Sequence, residues 1–267
     1  MSGAGSLAAL GFLAIGLGLS ALAMLALWAL QLRTKNAAVM DAGWALGVAA
    51  LAALDAWQGW GWGPRRALAL GLAGAWGLRL GLYLLATRVW GRPEAGHYRR
   101  LRLEWKKKAK SNFLVFFQFQ AFLTAFFSLP FLLASLNPRP GFSALEIAAV
   151  LLWVLAFTGV WLADRQLHRF KQDRKNRGKT CRAGLWGHSR HPNYFFEWLL
   201  WCANALFALA SPFGWLALLC PALLLYFLFK MTGIPATEAQ ALRTKRDYRA
   251  YQRATSAFVP WFKKRKA

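Results

Sequence analysis

HPNYFFEWLLWCANALFALASPFGWLALLCPALLLYFLFK, residues 191–230, decides the fold. His191, Asn193, Tyr194 and Glu197 crowd its first two turns, and no charge follows until Lys230. The apolar run is continuous rather than alternating, so it reads as helix, and Ser211-Pro212 divides it into two spans joined by a tight hairpin. Similar runs, near the roughly 18-residue spanning length, precede it. Together they give seven spans, over 6–32, 38–57, 64–89, 112–136, 142–167, 193–210 and 212–231. The first is read as a true span, because it is long for a leader and lacks a basic start. The expected fold class is all-α integral membrane. It is a seven-transmembrane helical bundle, one domain over 1–267, whose cytoplasmic loops cap a cofactor cavity.

A net charge of +24 would suggest nucleic acid in a soluble chain. Here the cations are segregated by topology. Arg33 and Lys35 lie in the first connection, nine Lys/Arg between Arg88 and Lys110, nine between Arg165 and Arg190, and ten from Lys230 to Lys266. The opposite side carries only Arg65, Arg66 and Arg139. The positive-inside rule then places the N-terminus outside and the C-terminus in the cytoplasm. Membrane lipids are the expected partners of this charge, and nucleic acid is excluded. Cys181, Cys202 and Cys220 lack metal spacing and face a reducing side, and four histidines are too few for a membrane di-iron site. No metal is expected.

Charges inside spans are costly and mark function. Asp41, Asp164 and Glu197 gather in the cytoplasmic leaflet with Arg79 deeper, whereas Asp55 and Glu146, near the outer ends, are read as reaching water. Helical spacing aligns Asn193, Glu197 and Trp201, with Asn204 close by; Asp41 with Trp44; Trp76, Arg79 and Tyr83; and Asp164, His168, Lys171 and Gln172. Four polar stripes in one leaflet imply a polar cavity open to the cytoplasm. Gly43-x-x-x-Gly47 and Gly71-x-x-Gly74-x-x-Gly77 read as close helix packing, not phosphate loops, since no strand precedes them. Pro192 suits a first helical turn, whose free N–H groups favour an anion, with Arg190 and His191 as added donors.

The residues from Gly184-Leu185-Trp186 through Ser189-Arg190-His191-Pro192-Asn193-Tyr194-Phe195 to Glu197 resemble the signature of the bacterial "domain of unknown function 1295" proteins, relatives of the steroid 5-alpha-reductases. Asp164-x-Gln166, Phe170-Lys171, Asn176, Gly233-x-Pro235, Glu238, Tyr248, Tyr251, Thr255 and Pro260 also match, as do Asp41-x-x-Trp44-x-x-Gly47, Arg79 and Gly91-Arg92-Pro93. The likeness is strongest over 160–260. It implies a seven-span bundle that binds NADPH on its cytoplasmic side, in a bacterial inner membrane. Arg92, Asp164, Lys171, Asn176, Arg190, His191, Asn193, Tyr194, Glu197, Tyr248 and Tyr251 are its implied cofactor residues. The usual glycine before the signature glutamate is Phe196 here. The steroid reductases act on a ketone with a glutamate and a tyrosine, and Asp41 and Trp76 align there.

The expected activity is NADPH-dependent reduction of a C=C bond conjugated to a carbonyl in an apolar lipid, a 3-oxo-Δ4 steroid or isoprenoid-like molecule. Asp41, Arg79 and Tyr83 are the candidate catalytic residues, and Trp44 and Trp76 face substrate. Two alternatives stand beside it. One is a membrane methyltransferase using S-adenosylmethionine, because the isoprenylcysteine carboxyl methyltransferases have a similar Arg-His-Pro-x-Tyr signature. The other is a lipid carrier without activity.

Overall fold

The computed structural model describes residues 3–231 and 233–262; the basic tail at 263–266 lies outside them. Among the described residues the regular elements are all helices, and one isolated parallel bridge joins Ser189 and Ser256. Six helices are long and apolar enough to cross a membrane. The expected span over 193–210 corresponds to the helix Pro192–Ala208, which at 17 residues is shorter than any of those six. The chain divides into two compact units, residues 1–142 with 208–216 and residues 143–207 with 217–267.

The first unit holds α1 (Gly3–Thr34), α2 (Val39–Gln58), α3 (Gly63–Leu84), α4 (Gly96–Trp105) and α5 (Ala109–Ser135). Buried residues of α2 recur at 42, 45, 48, 52, 55 and 56, a helical stripe facing its neighbours. Small residues let those neighbours close in: a Cβ on Gly77 of α3 would stand 2.7 Å from the Ala45 carbonyl oxygen of α2. Gly43 and Gly47 are packed in the same way, against Leu27 and Thr124, whereas Gly71 and Gly74 face open space.

In the first turn of α3 Arg65 is buried and donates to the carbonyls of Asn137 (3.2 Å), Arg139 (2.5 Å) and Gly141 (2.6 Å), closing the loop after α5. Asn137 in turn donates to the Ala210 carbonyl at 3.0 Å, which pins the hairpin around Ser211-Pro212. Asp55 does not reach water. It is buried on the packed stripe of α2, with Gln58 at 3.4 Å from one carboxyl oxygen and no hydrogen bond to the other.

The second unit holds α6 (Ala144–Gln172), α7 (Pro192–Ala208), α8 (Leu219–Tyr226), α9 (Ile234–Thr244) and α10 (Tyr248–Ala254). Glu146, the other acid expected to reach water, is buried because it closes a capping box. Ser143 Oγ accepts from the Glu146 N–H, and Glu146 accepts from the Ser143 N–H at 2.8 Å. The link from α6 to α7 folds back on α6. Trp186 Nε1 donates to the Ala163 carbonyl at 2.9 Å, and Gln166 accepts from the Leu185 N–H at 3.0 Å. Gly184 makes that approach at φ +56, where a Cβ would strike the Gln166 amide at 2.3 Å.

Candidate functional site

In the first unit, α3 runs on into a π-helical turn, Leu85–Val89, of a kind often found at functional sites. The turn carries Arg88, whose Nη1 lies 2.9 Å from Asp41 Oδ2. Tyr98, on α4, donates its hydroxyl to Asp41 Oδ1 at 2.5 Å. Asp41 thus pairs with Arg88 and Tyr98 rather than with Arg79 or Tyr83; Arg79 is half-buried on α3 and Tyr83 is exposed. The Asp41 and Arg88 side chains are 21% and 45% exposed. An ion pair that open contributes about 1 kcal/mol or less to stability. Its worth lies in the charge it concentrates.

A buried network holds this cluster in place. Arg102 grips Glu94 through Nε (3.1 Å) and Nη2 (2.7 Å) and also reaches Gln31 Oε1 at 3.1 Å. Glu94 accepts from the Ala37 N–H at 3.0 Å, and Asn36 donates to the carbonyls of Arg88 (3.1 Å) and Arg92 (3.3 Å). The Gly91-Arg92-Pro93 turn is therefore tied to the start of α2, with the Arg92 side chain outside. One turn along α2, Trp44 meets Trp76 edge-on at 5.4 Å and Phe127 at 5.6 Å. The two expected substrate tryptophans are thus neighbours, and the buried Trp44 indole N–H has no hydrogen-bond partner.

In the second unit the signature stretch is a knot. Arg190 donates through Nε to Glu238 Oε1 (2.6 Å) and through Nη1 to the carbonyls of Gln252 (3.0 Å) and Thr255 (2.6 Å). Ser189 Oγ donates to the Phe258 carbonyl at 2.7 Å, and the Arg190 N–H to the Ser256 carbonyl at 2.8 Å. The buried Tyr251 hydroxyl sits between the carbonyls of Trp186 (2.5 Å) and Ser189 (3.0 Å). Tyr248 and Gln252 both donate to Glu238. His191 stacks on Tyr194 at 5.4 Å and lies 3.3 Å from Glu238 Oε1. A carboxylate only accepts, so His191 Nε2 carries the proton. Burial pushes the imidazole below its ordinary value against the pull of Glu238, and it stays neutral at pH 7. Asn176 donates to the Phe170 carbonyl at 3.1 Å and closes the end of α6.

Asn193 and Lys171 retain capacity. Asn193, half-buried in the first turn of α7, has no hydrogen-bond partner for its amide among the described residues. Lys171 is exposed and has no ion pair among the described residues, and it acts on Lys245, a residue that sequence reasoning did not single out. Burial, then the like charge of Lys171, lowers the Lys245 ammonium, which lies 5.9 Å from the Tyr248 ring centre. Asp247 is spent on Thr180 Oγ1 at 2.7 Å and Arg182 at 3.3 Å. Burial raises its carboxyl, but those bonds outweigh it and hold Asp247 below the usual range. Asp164 and Glu197 are half-buried on α6 and α7. Phe196 is accommodated by Gly159 of α6, where a Cβ would stand 2.3 Å from the ring.

Tyr98, Arg88 and Lys245 escaped sequence reasoning because each depends on a fold-back of the chain rather than on helical spacing. Only Glu94 and Arg102, opposite charges eight residues apart just after the Gly91-Arg92-Pro93 turn, hinted at how this segment folds.

The family model described as Protein of unknown function (DUF1295) matches residues 27–255, and the chain belongs to that family. No curated protein and no solved structure matches the chain.

Proposed function

We propose that this DUF1295 protein is a membrane oxidoreductase that reduces a carbon–carbon double bond conjugated to a carbonyl in an apolar lipid, a 3-oxo-Δ4 steroid or isoprenoid-like molecule. The observation that carries the reading is the Tyr98 hydroxyl on Asp41, with Arg88 on the same carboxylate. Reduction of an enone builds negative charge on its carbonyl oxygen, and a positioned acid must meet that charge. The resemblance to steroid reductases leaves Trp76 where a phenol is needed; Tyr98 supplies one. Turned from Asp41 toward the substrate, the Tyr98 hydroxyl gives its proton to the enolate oxygen, and Arg88, already on the Asp41 carboxylate, offsets the phenolate charge that remains until water reprotonates it. The saturated ketone forms once the proton passes to the α-carbon.

NADPH, when bound, supplies the hydride to the β-carbon. The donor set of the second unit suits that cofactor in part. The partnerless Asn193 amide offers the paired donor and acceptor that a nicotinamide carboxamide needs. Lys171 and Lys245 stand close enough for their like charges to act on one another, and Asp247, the carboxylate that acts on Lys245, is already engaged by Thr180 and Arg182, so the two ammonium groups suit phosphate. Arg190 does not, because Glu238 and two carbonyls already take its donors. We further propose that α7 is the seventh span, and that the basic segments and the C-terminus face the cytoplasm of a bacterial inner membrane.

The test is titration of the detergent-purified protein with NADPH, NADH and S-adenosylmethionine, followed by transfer of tryptophan emission to reduced nicotinamide and by calorimetric heat. Saturable NADPH binding is expected, weakened about tenfold or more by Asn193→Ala, the loss of roughly 1.4 kcal/mol. Heat from S-adenosylmethionine alone would move the protein to methyl transfer. Silence from all three ligands leaves a lipid carrier and sinks the reading.

A further inference from the structure

The helix that carries Tyr98 has two unlike faces. Inward, Tyr98, Leu101 and Trp105 join the apolar core at the start of α5, with Trp105 edge-on to Phe113 at 4.9 Å, and Arg102 is neutralised by Glu94. Outward, α4 presents Arg99, Arg100, Leu103 and Glu104, all exposed. The chain then turns at Lys106, whose φ of 48° lies in a region that side-chain-bearing residues seldom enter. A 3-10 turn, Lys106–Lys108, follows directly, and Lys110 stands beside it on α5. The turn keeps α4 from continuing the axis of α5 and folds it against the mouth of that membrane-crossing helix. Arg99, Arg100, Lys106, Lys107, Lys108 and Lys110 therefore share one edge with a single carboxylate, Glu104. None of the six cations makes an ion pair among the described residues. Two large apolar side chains of the same segment are exposed, Leu103 on the outward face of α4 at 68% and Trp90, six residues before that helix, at 62%.

We infer that this edge is a binding surface for anionic phospholipid headgroups. Clustered cations at the end of a spanning helix attract an anionic leaflet within about a Debye length, roughly 8 Å at physiological salt. A soluble acidic partner would account for the cations but not for Leu103 and Trp90; an exposed leucine among the cations and an exposed tryptophan in the segment leading into α4 fit the acyl and headgroup boundary. The surface also has a consequence for the interior. A lipid held on the outer face of α4 braces a helix of only 10 residues whose inner face holds Tyr98 against Asp41. Neither step depends on the proposed activity.

The experiment compares the full-length protein in nanodiscs of phosphatidylcholine alone and of phosphatidylcholine with phosphatidylglycerol. Native mass spectrometry reads the retained lipid, and amide hydrogen exchange reads residues 97–105. Selective retention of phosphatidylglycerol is expected, with slower exchange across α4 in its presence. The triple variant Lys106→Ser, Lys107→Ser, Lys108→Ser should lose most of that preference. The corresponding change to arginine should keep it, and so should Lys175→Ser, Arg177→Ser, Lys179→Ser in the second unit. Raising salt from about 0.05 to 0.5 M on the unaltered protein should release the lipid, a readout that does not depend on a variant folding. Equal retention of both lipids, retention indifferent to salt, or loss in the second-unit variant instead would overturn the assignment. Retention of the triple variant's preference would do the same.

Discussion

Two polar clusters meet the same demand in opposite ways. Around Arg190 nearly every donor has an acceptor: a carboxylate, two carbonyls, two tyrosines, a histidine and a glutamine close on one another, and the Arg190 side chain is 12% exposed. Around Asp41 the partners are few and open, with Arg88 45% exposed and Tyr98 aimed at the carboxylate from the buried side. A saturated network rigidifies the fold and has little left for a ligand. An open pair adds little stability and keeps its charge available. Arg190 and its neighbours in the stretch that most resembles a ligand-binding signature therefore hold the C-terminal segment in place, and within that stretch it is Asn193 that keeps its donor and acceptor available.

The sharpest way to break that comparison is Arg190→Ala. Removing one partner from a buried, hydrogen-bonded pair costs about 3–5 kcal/mol, because Glu238 and two carbonyls are left unmet. The variant should unfold at much lower temperature in detergent, by tryptophan fluorescence, and Arg190→Lys should rescue little, lacking the planar fork. A variant of unaltered stability that had lost only ligand binding would return Arg190 to the cofactor. Tyr98→Phe is the matching change at the open cluster. It keeps the ring packed and removes one hydroxyl, so the melting temperature should barely move. Turnover of an enone lipid should fall by about 10²–10⁴ while NADPH affinity holds, the contribution expected of a positioned acid. Unchanged turnover would remove Tyr98 from the chemistry.

The sequence made the helices legible because membrane solvent leaves few options: long uncharged runs must be helices, and segregated Lys/Arg suggest which ends share a side. It also placed Asp41 and Asn193 in first turns and aligned His168 with Gln172, which bond at 2.9 Å. It misread Asp55 and Glu146, because closeness to a helix end says nothing about whether a neighbouring loop covers it. Ser143-x-x-Glu146 carried the capping-box spacing that would have corrected the second. It could not show that Arg190 meets Glu238, 48 positions away, or that Tyr98 returns to Asp41, 57 away. Those contacts depend on turns, not on periodicity. Phe196 was legible only as a departure until Gly159 supplied its other half.

That pair gives a smaller prediction, and one that extends the saturated side of the comparison into packing. Gly159→Ala forces a methyl into the Phe196 ring and should cost about 1–3 kcal/mol. In a Phe196→Ala background the same change should cost little, so a double-mutant cycle should return a coupling of about 1–2 kcal/mol. Additive effects would mean that ring and glycine do not depend on one another.

The smallest effect separates the clusters by pH. His191 has its value lowered below the ordinary 6.5, chiefly by burial. Above pH 6.5 it is neutral whether the chain is folded or unfolded, and it adds no pH dependence. As pH falls through 6.5 the unfolded chain takes up a proton that the buried ring resists. Stability is then lost, by at most about 1.4 kcal/mol per pH unit, until the ring reaches its own lowered value. Asp247 behaves the other way: its value lies below the ordinary 3.8, so its contribution is intact above that and lost only in stronger acid. Between pH 6.5 and about 5 the Asp247 contribution is constant, and His191 shares the slope with His97, whose value burial also lowers. Melting temperatures over that window should slope downward toward acid, and His191→Gln should make the slope shallower by removing the knot's share. His188→Gln, at an exposed ring two residues before the knot's arginine, should leave it unchanged. If both substitutions flatten it equally, the acid sensitivity belongs to general charge on the basic segments, and the knot has no share in it.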